Sequence, residues 1–444
     1  MNPTANIKDY FDQAVLPETK GKIGSLRKNA QQLYTRLGIP TTKQEEWKYT
    51  RINGLFSKTY QLTSDLSKVP VSSGDIDALR LPGNANANEL VFVNGLFSLE
   101  LSKIISKDLI VLPLEEAATD EFSETIAKHL GHSGHYLKDG INALNTAFVQ
   151  AAAFLHLKKN KVLEHPVYIY HFFDTRNGNT FSQPRSLVHI GENASMQVVE
   201  TFFTVGTGES FTNQVMEIVV EKDARLEYYK IQNDSSESSQ VSTTHIRQLG
   251  KSYTHSVSIS LNGNIVRNNL NVIFEADHCE SHLYGLYCLK GQTHVDNHTV
   301  VDNVQPHCFS NELYKGVVDG KATGIFNGKI FVRKDAQKTN AYQSNKNILL
   351  SETATVNAKP QLEIFADDVK CSHGCTVGSL DEEALFYLRS RGLSLDQARS
   401  LLLQAFAMDI LENIHLESIR SHVSSLISQR LEINEHDRIR DDIE

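Results

Sequence analysis

Cysteine is scarce in this chain. Five cysteines in 444 residues, an odd number, are too few and too scattered for a disulfide scaffold. Long hydrophobic runs are missing as well, since no stretch approaches the ~18 consecutive apolar residues of a membrane-spanning helix. The amino terminus, MNPTANIKDYFDQAV, has no basic segment leading into an apolar run, so no secretory signal is read there. Positive charge is in deficit: 44 Lys and Arg against 53 Asp and Glu give a formal net charge of −9. Nothing global therefore draws the chain to nucleic acid or to anionic lipid. A phosphate-cradling glycine loop, a dinucleotide fingerprint and a positioned nucleophile are absent too. These absences leave a protein of the reducing cytoplasm, with no nucleic acid and no membrane among its expected partners. In that compartment closely spaced cysteines are metal or redox ligands more often than staples.

Hydrophobic residues make up 40% and charged residues 22%, an ordinary globular composition with length for two or three domains. Residues 1–155 read as an α-rich N-terminal domain with an irregular linker near 57–76. "SLRKNAQQLYTRLG" and "EFSETIAKHL" carry helical spacing, and "ELVFVNGLFS" reads as strand, Asn-Gly turn, strand. "LGHSGH" at 130–135 is discounted as a phosphate loop because no strand leads into it. Residues 156–366 are different: "PVYIYHFF", "MQVVETFF", "QVMEIVV", "RLEYYKI" and "LNVIF" are short β-branched and aromatic runs separated by turn residues, which makes an all-β core. Four strand ends share one pattern, Ile190-x3-Ala194, Val220-x3-Ala224, Val332-x3-Ala336 and Leu350-x3-Ala354. A coiled solenoid needs such small inward corner residues. A β-sandwich fits the strand pattern as well, and the residues alone leave both open.

Residues 367–444 begin with "DDVKCSHGCTVG". If this segment is extended, Cys371, His373 and Cys375 share one face, because the side-chain period of a strand is two. Thiolate with imidazole suits zinc or iron, iron–sulfur clusters included. The spacing is neither that of a structural zinc site, which needs a second ligand pair, nor the C-x-x-C of redox proteins. Three ligands would leave coordination positions for a second chain to fill. The competing reading is a small half-buried cysteine beside a turn-capping histidine. Cys279, Cys288 and Cys308 lie among His278, His282, His294, His298 and His307, but strand histidines are more often solvated or bound by backbone. Glu363, Asp367 and Asp368 are weaker candidates as acid–base carboxylates.

Two helices are expected beyond Gly378. Ser379 and Glu382 suggest a capping box for "EEALFYLRSR", which stops at Gly392, and Ser394 with Gln397 suggest a second. The second helix presents Leu395, Ala398, Leu402, Ala405 and Phe406 as its apolar face. The turn resembles a DNA-binding helix-turn-helix, yet residues 371–444 hold seven Arg, no Lys and thirteen Asp or Glu, which is poor for phosphate binding. A helical hairpin that buries one face in the chain or in a partner is the better reading.

Taken together, "DDVKCSHGCTVG", "LFYLRSRGLS", "NGKIFVRKDAQKT" and "LYKGVVDGKA", with "QEEWKYT", "VFVNG" and "ALNTAF" earlier, resemble the SufB/SufD family of iron–sulfur cluster assembly proteins, on its SufD side. The likeness runs in order along nearly the whole chain. It implies a mainly β fold with flanking α: a right-handed parallel β-helix between N-terminal and C-terminal helical domains. It implies a non-catalytic subunit that pairs with SufB through the β-helix and docks the ATPase SufC on its C-terminal helices. A homodimer is the expected alternative pairing of the isolated chain. By the match at "CSHG", Cys371 and His373 become candidate iron or cluster ligands at the SufB–SufD interface. Cys375 ranks below them, because the family usually carries alanine there. Phe386, Tyr387, Arg391, Leu402 and Phe406 become candidates for contact with SufC. No cofactor is expected to stay on the isolated chain; iron or a nascent cluster would be shared with SufB, and the residues do not decide whether a flavin joins the complex. The rival readings are a SufB-like scaffold that itself holds the cluster, a zinc-binding adaptor, and a β-helix carbohydrate-active enzyme. The last needs clustered carboxylates where this chain has cysteine and histidine.

Overall fold

The computed structural model describes residues 4–16, 21–69, 71–119 and 121–431. Its centre is a parallel β-helix of about eight turns. Strands alternate between two sheets along the chain. Ser195–Val205, Arg225–Asn233, Tyr253–Asn262, Glu280–Leu289, Phe309–Val318 and Asn340–Leu349 stack in one; Ser210–Val220, Ser238–Gln248, Ile265–Phe274, His294–Asn303 and Thr323–Val332 stack in the other. Partners one turn apart are separated by 26 residues at Gln240–Val266 and by 32 at Thr323–Thr355. This uneven period explains why the sequence shows no tandem repeat. The choice left open between sandwich and solenoid is settled by this parallel register.

The corners are built as the spacing predicts. The strand Arg185–Ile190 ends, Ala194 N donates to Gly191 O at 3.2 Å, and the next strand starts at Ser195. The same bond closes Glu221–Ala224 at 3.2 Å and Arg333–Ala336 at 2.9 Å. Each alanine points into the core with 2% exposure or less, so the corner position takes a small side chain. At the first two corners the residue before the alanine is left-handed: φ is 53° at Asn193 and 57° at Asp223. That geometry turns its amide toward the next corner, so Asn193 N donates to Lys222 O and His307 N to Gln337 O, both at 2.9 Å. Corner is tied to corner down the solenoid.

Helices cover both outer faces. The N-terminal layer, including Ile7–Gln13, Gly21–Leu37 and Gly140–Ala147, packs Phe11, Trp47, Phe56 and Leu144 onto Phe181, Phe211 and Val241 of one sheet. The segment at 130–135 is a docking loop: Glu217 accepts from Gly131 N and Ser133 N, both at 2.8 Å. The same buried carboxylate takes Arg185 Nη2 at 2.7 Å. The C-terminal helices Leu395–Leu411 and Glu417–Leu431 pack Leu403, Ala407, Ile410, Ile419, Val423 and Ile427 onto Val257, Ile259, Leu286 and Val317 of the other sheet. Among the described residues, no helix is long and apolar enough to cross a membrane. The hairpin around Asn94 and Gly95 has φ of 48° and 85°, as an Asn-Gly turn requires.

Three sequence expectations change. The sheet continues past residue 366 with a last strand, Lys370–Gly378. Asp381, not Ser379, caps the helix Glu382–Ser390, accepting from Glu383 N at 2.9 Å and Ala384 N at 3.1 Å. The buried stripe of Leu395–Leu411 is Ala398, Leu403, Ala407, Ile410 and Leu411, sharing only Ala398 with the expected face. This helix is apolar nearly all round, so spacing could not single out one stripe. The capping box of Ser394 and Gln397 and the left-handed Gly392, at φ 97°, are present as expected.

A candidate ligand strand at the open end of the β-helix

The strand Lys370–Gly378 pairs in parallel with Asn340–Leu349 and is the last strand of its sheet. Cys371 lies over Ala341, His373 over Gln343 and Cys375 over Asn345. Those three lower residues are buried, while the alternate Tyr342 and Lys346 are exposed. Cys371, His373 and Cys375 therefore share the face that is interior one rung below. Among the described residues no further rung covers that face. Cys371 is half-buried against Ala341 and the end of the core, and His373 and Cys375 are exposed. Burial pushes the thiols of Cys371 and Cys375 above the ordinary value, so ligation would release a proton from each.

The three do not form one coordination sphere. At ~3.3 Å of rise per residue, Cys371 and Cys375 stand about 13 Å apart along the strand, while ligand bonds to zinc are about 2.0–2.3 Å long. Cys375 Sγ lies 3.7 Å from Asn345 Oδ1. Cys371 and His373 can share an ion through side-chain reach, with vacant positions facing out of the end. On the opposite sheet the end rung is Thr355–Ala358 and Gln361–Ile364, both paired with Thr323–Val332. Each final strand leaves one row of backbone amides and carbonyls without a strand neighbour in the described fold, and such an edge is a template for pairing. Apolar side chains stand exposed around it: Tyr342, Ile364, Phe365 and Val377. Asp368 is engaged by the Lys338 ammonium and supports the corner beside it; Asp367 and Glu363 are exposed.

Cys279 and Cys308 with their neighbouring histidines resolve as corners, while Cys288, His282, His294 and His298 lie within strands. His278 and His307 are left-handed corner residues, at φ 56° and 60°. Cys279 and Cys308, which follow them, occupy the inward position that alanine fills at 194 and 224. Cys279 Sγ lies 3.2 Å and Cys308 Sγ 3.4 Å from Ala276 O. Cys288 is buried under the C-terminal helices, and burial pushes its thiol up to about 12.

On the C-terminal hairpin, Phe386 is 74% and Tyr387 56% exposed. Arg391 Nη2 donates to Tyr387 Oη at 3.1 Å. Leu402 and Phe406 are half-buried. Phe406 holds the helix to the sheet: Lys315 Nζ lies 4.3 Å from its ring centroid and donates to its carbonyl at 2.9 Å. The exposed aromatics and the anchoring one thus fall on different helices.

Fold and site define a class: a β-helical scaffold that leaves two thiols and an imidazole on the last strand of one sheet. Comparison with known proteins places it further. Residues 172–406 match the family model described as SUF system FeS cluster assembly, SufBD core domain, and residues 8–169 match the SufBD protein N-terminal region. An iron–sulfur cluster assembly SufBD family protein of Synechocystis is 32% identical over 434 residues, 94% of each chain. The iron–sulfur cluster assembly protein SufD of Escherichia coli is 29% identical over 403 residues, covering 89% of this chain and 90% of that one. SufD of Bacillus subtilis is 26% identical over 336 residues, 71% and 72% of the two chains. The chain belongs to the SufBD family of iron–sulfur cluster assembly proteins, and within it is SufD-like.

Proposed function

We propose that this chain is a non-catalytic subunit of a SUF assembly complex that pairs end-on with a SufB-type subunit through the last rung of its β-helix. Cys371 and His373 then supply part of a coordination sphere at the junction, and the partner supplies the rest. The subunit assists iron entry and cluster formation there. A SufC-type ATPase docks on the hairpin 382–411, with Phe386, Tyr387 and Arg391 as its contacts. The observation that carries this reading is the open rung: ligands on a face that is interior everywhere else, beside unpaired edges and exposed apolar side chains. Edge-to-edge strand pairing would satisfy the backbone and bury the apolar rim in one step.

The test is anaerobic co-purification of this chain with its cognate SufB and SufC, wild type beside Cys371→Ala, with iron, acid-labile sulfide and visible absorption measured on each complex. The expected result is an intact complex that loses iron or cluster. An intact variant complex with unchanged iron and sulfide contradicts the ligand role. A cluster held by the isolated chain would instead make it a SufB-like scaffold.

A further inference from the structure

Six rungs from the open end, three ligand-type side chains meet on the other flank. His129 is the last residue of the helix Ser123–His129, His189 lies on the strand Arg185–Ile190, and Glu221 begins a corner after the strand Ser210–Val220. One ligand atom from each lies within 4.8 Å of the others. His189 Nε2 is 3.2 Å from Glu221 Oε1, and the His129 and His189 ring centroids are 6.0 Å apart. A fourth imidazole backs them: His156 Nδ1 is 2.9 Å from His189 Nδ1, with the rings stacked at 5.0 Å. We propose that His129, His189 and Glu221 form a binding site for a borderline divalent transition-metal ion, distinct from the thiol-bearing end rung, with His156 orienting His189 from behind.

The chemistry of the donors points this way. Two imidazoles and a carboxylate are the donor set of three-ligand zinc sites and of the facial triad of Fe(II), with positions left open. Donor atoms around such an ion stand about 3.0–3.5 Å apart, so closing 4.8 Å takes a shift of roughly an ångström. Hydrogen bonding fixes what binding must change. Without metal, His189 Nε2–H donates to Glu221 and His189 Nδ1 accepts from His156. With metal on Nε2, the proton of His189 moves to Nδ1 and that of His156 moves from Nδ1 to Nε2, so His189 Nδ1–H donates to His156 Nδ1 and the bond survives, reversed, as an outer-shell support. His129 is restrained differently. Arg247 Nη1 donates to its Nδ1 at 2.9 Å, and Arg247 is itself clamped by Glu275 at 2.6 and 2.8 Å. Metal on His129 Nε2 requires a proton on Nδ1 and forfeits the Arg247 bond. Arg247 and Lys128 oppose the ion from nearby, and Glu221 and Glu275 favour it.

The test is isothermal titration of the full chain with Zn²⁺, and with Co²⁺ followed by visible absorption. It is run on wild type and on a Cys371→Ala/Cys375→Ala background, which removes thiolate ligands and separates this site from the end rung. One equivalent should bind in both, with Co²⁺ bands lacking thiolate charge transfer on the background chain. His189→Ala and Glu221→Gln should each weaken it by about 100-fold, and His156→Ala by about 10–100-fold. Arg247→Gln, whose amide oxygen can accept from Nδ1–H, should tighten it. Should His189→Ala fail to fold, the half-exposed Glu221→Gln decides. No stoichiometric binding by the background chain, or binding unchanged in Glu221→Gln, overturns the proposal and leaves the reading of the end rung untouched.

Discussion

Cys279 and Cys308 on one hand, and Cys371 and Cys375 on the other, sit in the same β-helix and meet opposite surroundings. The first pair fills inward corners between complete rungs, each sulfur against a backbone carbonyl and sealed from water. The second pair occupies the same inward face, but on a rung with nothing stacked above it among the described residues. A repeated architecture thus makes one residue type sealed or accessible according to whether the next turn exists. The end of a solenoid cannot cap itself with its own repeat, so its last strands leave backbone edges and inward side chains uncovered.

Substitutions in complete rungs should be costly, and those on the end rung cheap. The largest effect is expected at Glu217. Glu217→Leu strands the buried Arg185 and should cost about 3–5 kcal/mol in urea unfolding at neutral pH. Because Glu217 is held at about 2, below the ordinary 4.5, its contribution is complete above 4.5 and lost as pH falls toward 2. The deficit of the variant should shrink over that window. Glu312 has the opposite sign. Burial raises it from 4.5 to about 7, so its contribution is present below 4.5 and lost as pH rises through 7. Glu312→Gln should therefore stabilise by about 1–3 kcal/mol at pH 8 and by almost nothing at pH 4. Next, Cys308→Ser should cost about 1–2 kcal/mol and Cys375→Ser less than about 0.5; equal costs would break the comparison. The smallest stability effect belongs to Phe386→Asp, within about 0.5 kcal/mol, while capture of SufC in a pulldown is lost.

Much of this was legible in the sequence because it is local. The corner alanines, the Asn-Gly hairpin, the capping box at Ser394 and the alternation of Cys371, His373 and Cys375 each follow from a few neighbouring residues. What was not legible depends on distance or on degenerate chemistry. Parallel register links residues 26 to 32 apart, which strand-forming runs cannot specify. The corner role of His278 and His307 was hidden because any side chain can occupy a left-handed position at some cost. The exposed and anchoring aromatics of the C-terminal hairpin could not be separated without knowing which stripe meets the sheet. His129, His189 and Glu221 come from three elements and leave no spacing signal at all.

The central claim is that the open rung is where a partner sits. The direct measurement is the rate of alkylation of Cys371, read by mass spectrometry, in the isolated chain and in the complex with SufB. Labelling should be slowed at least about tenfold in the complex, while Cys279, Cys288 and Cys308 stay unlabelled in both. An unchanged rate at Cys371 in an intact complex would show that the end rung faces solvent, not a partner, and would contradict the account.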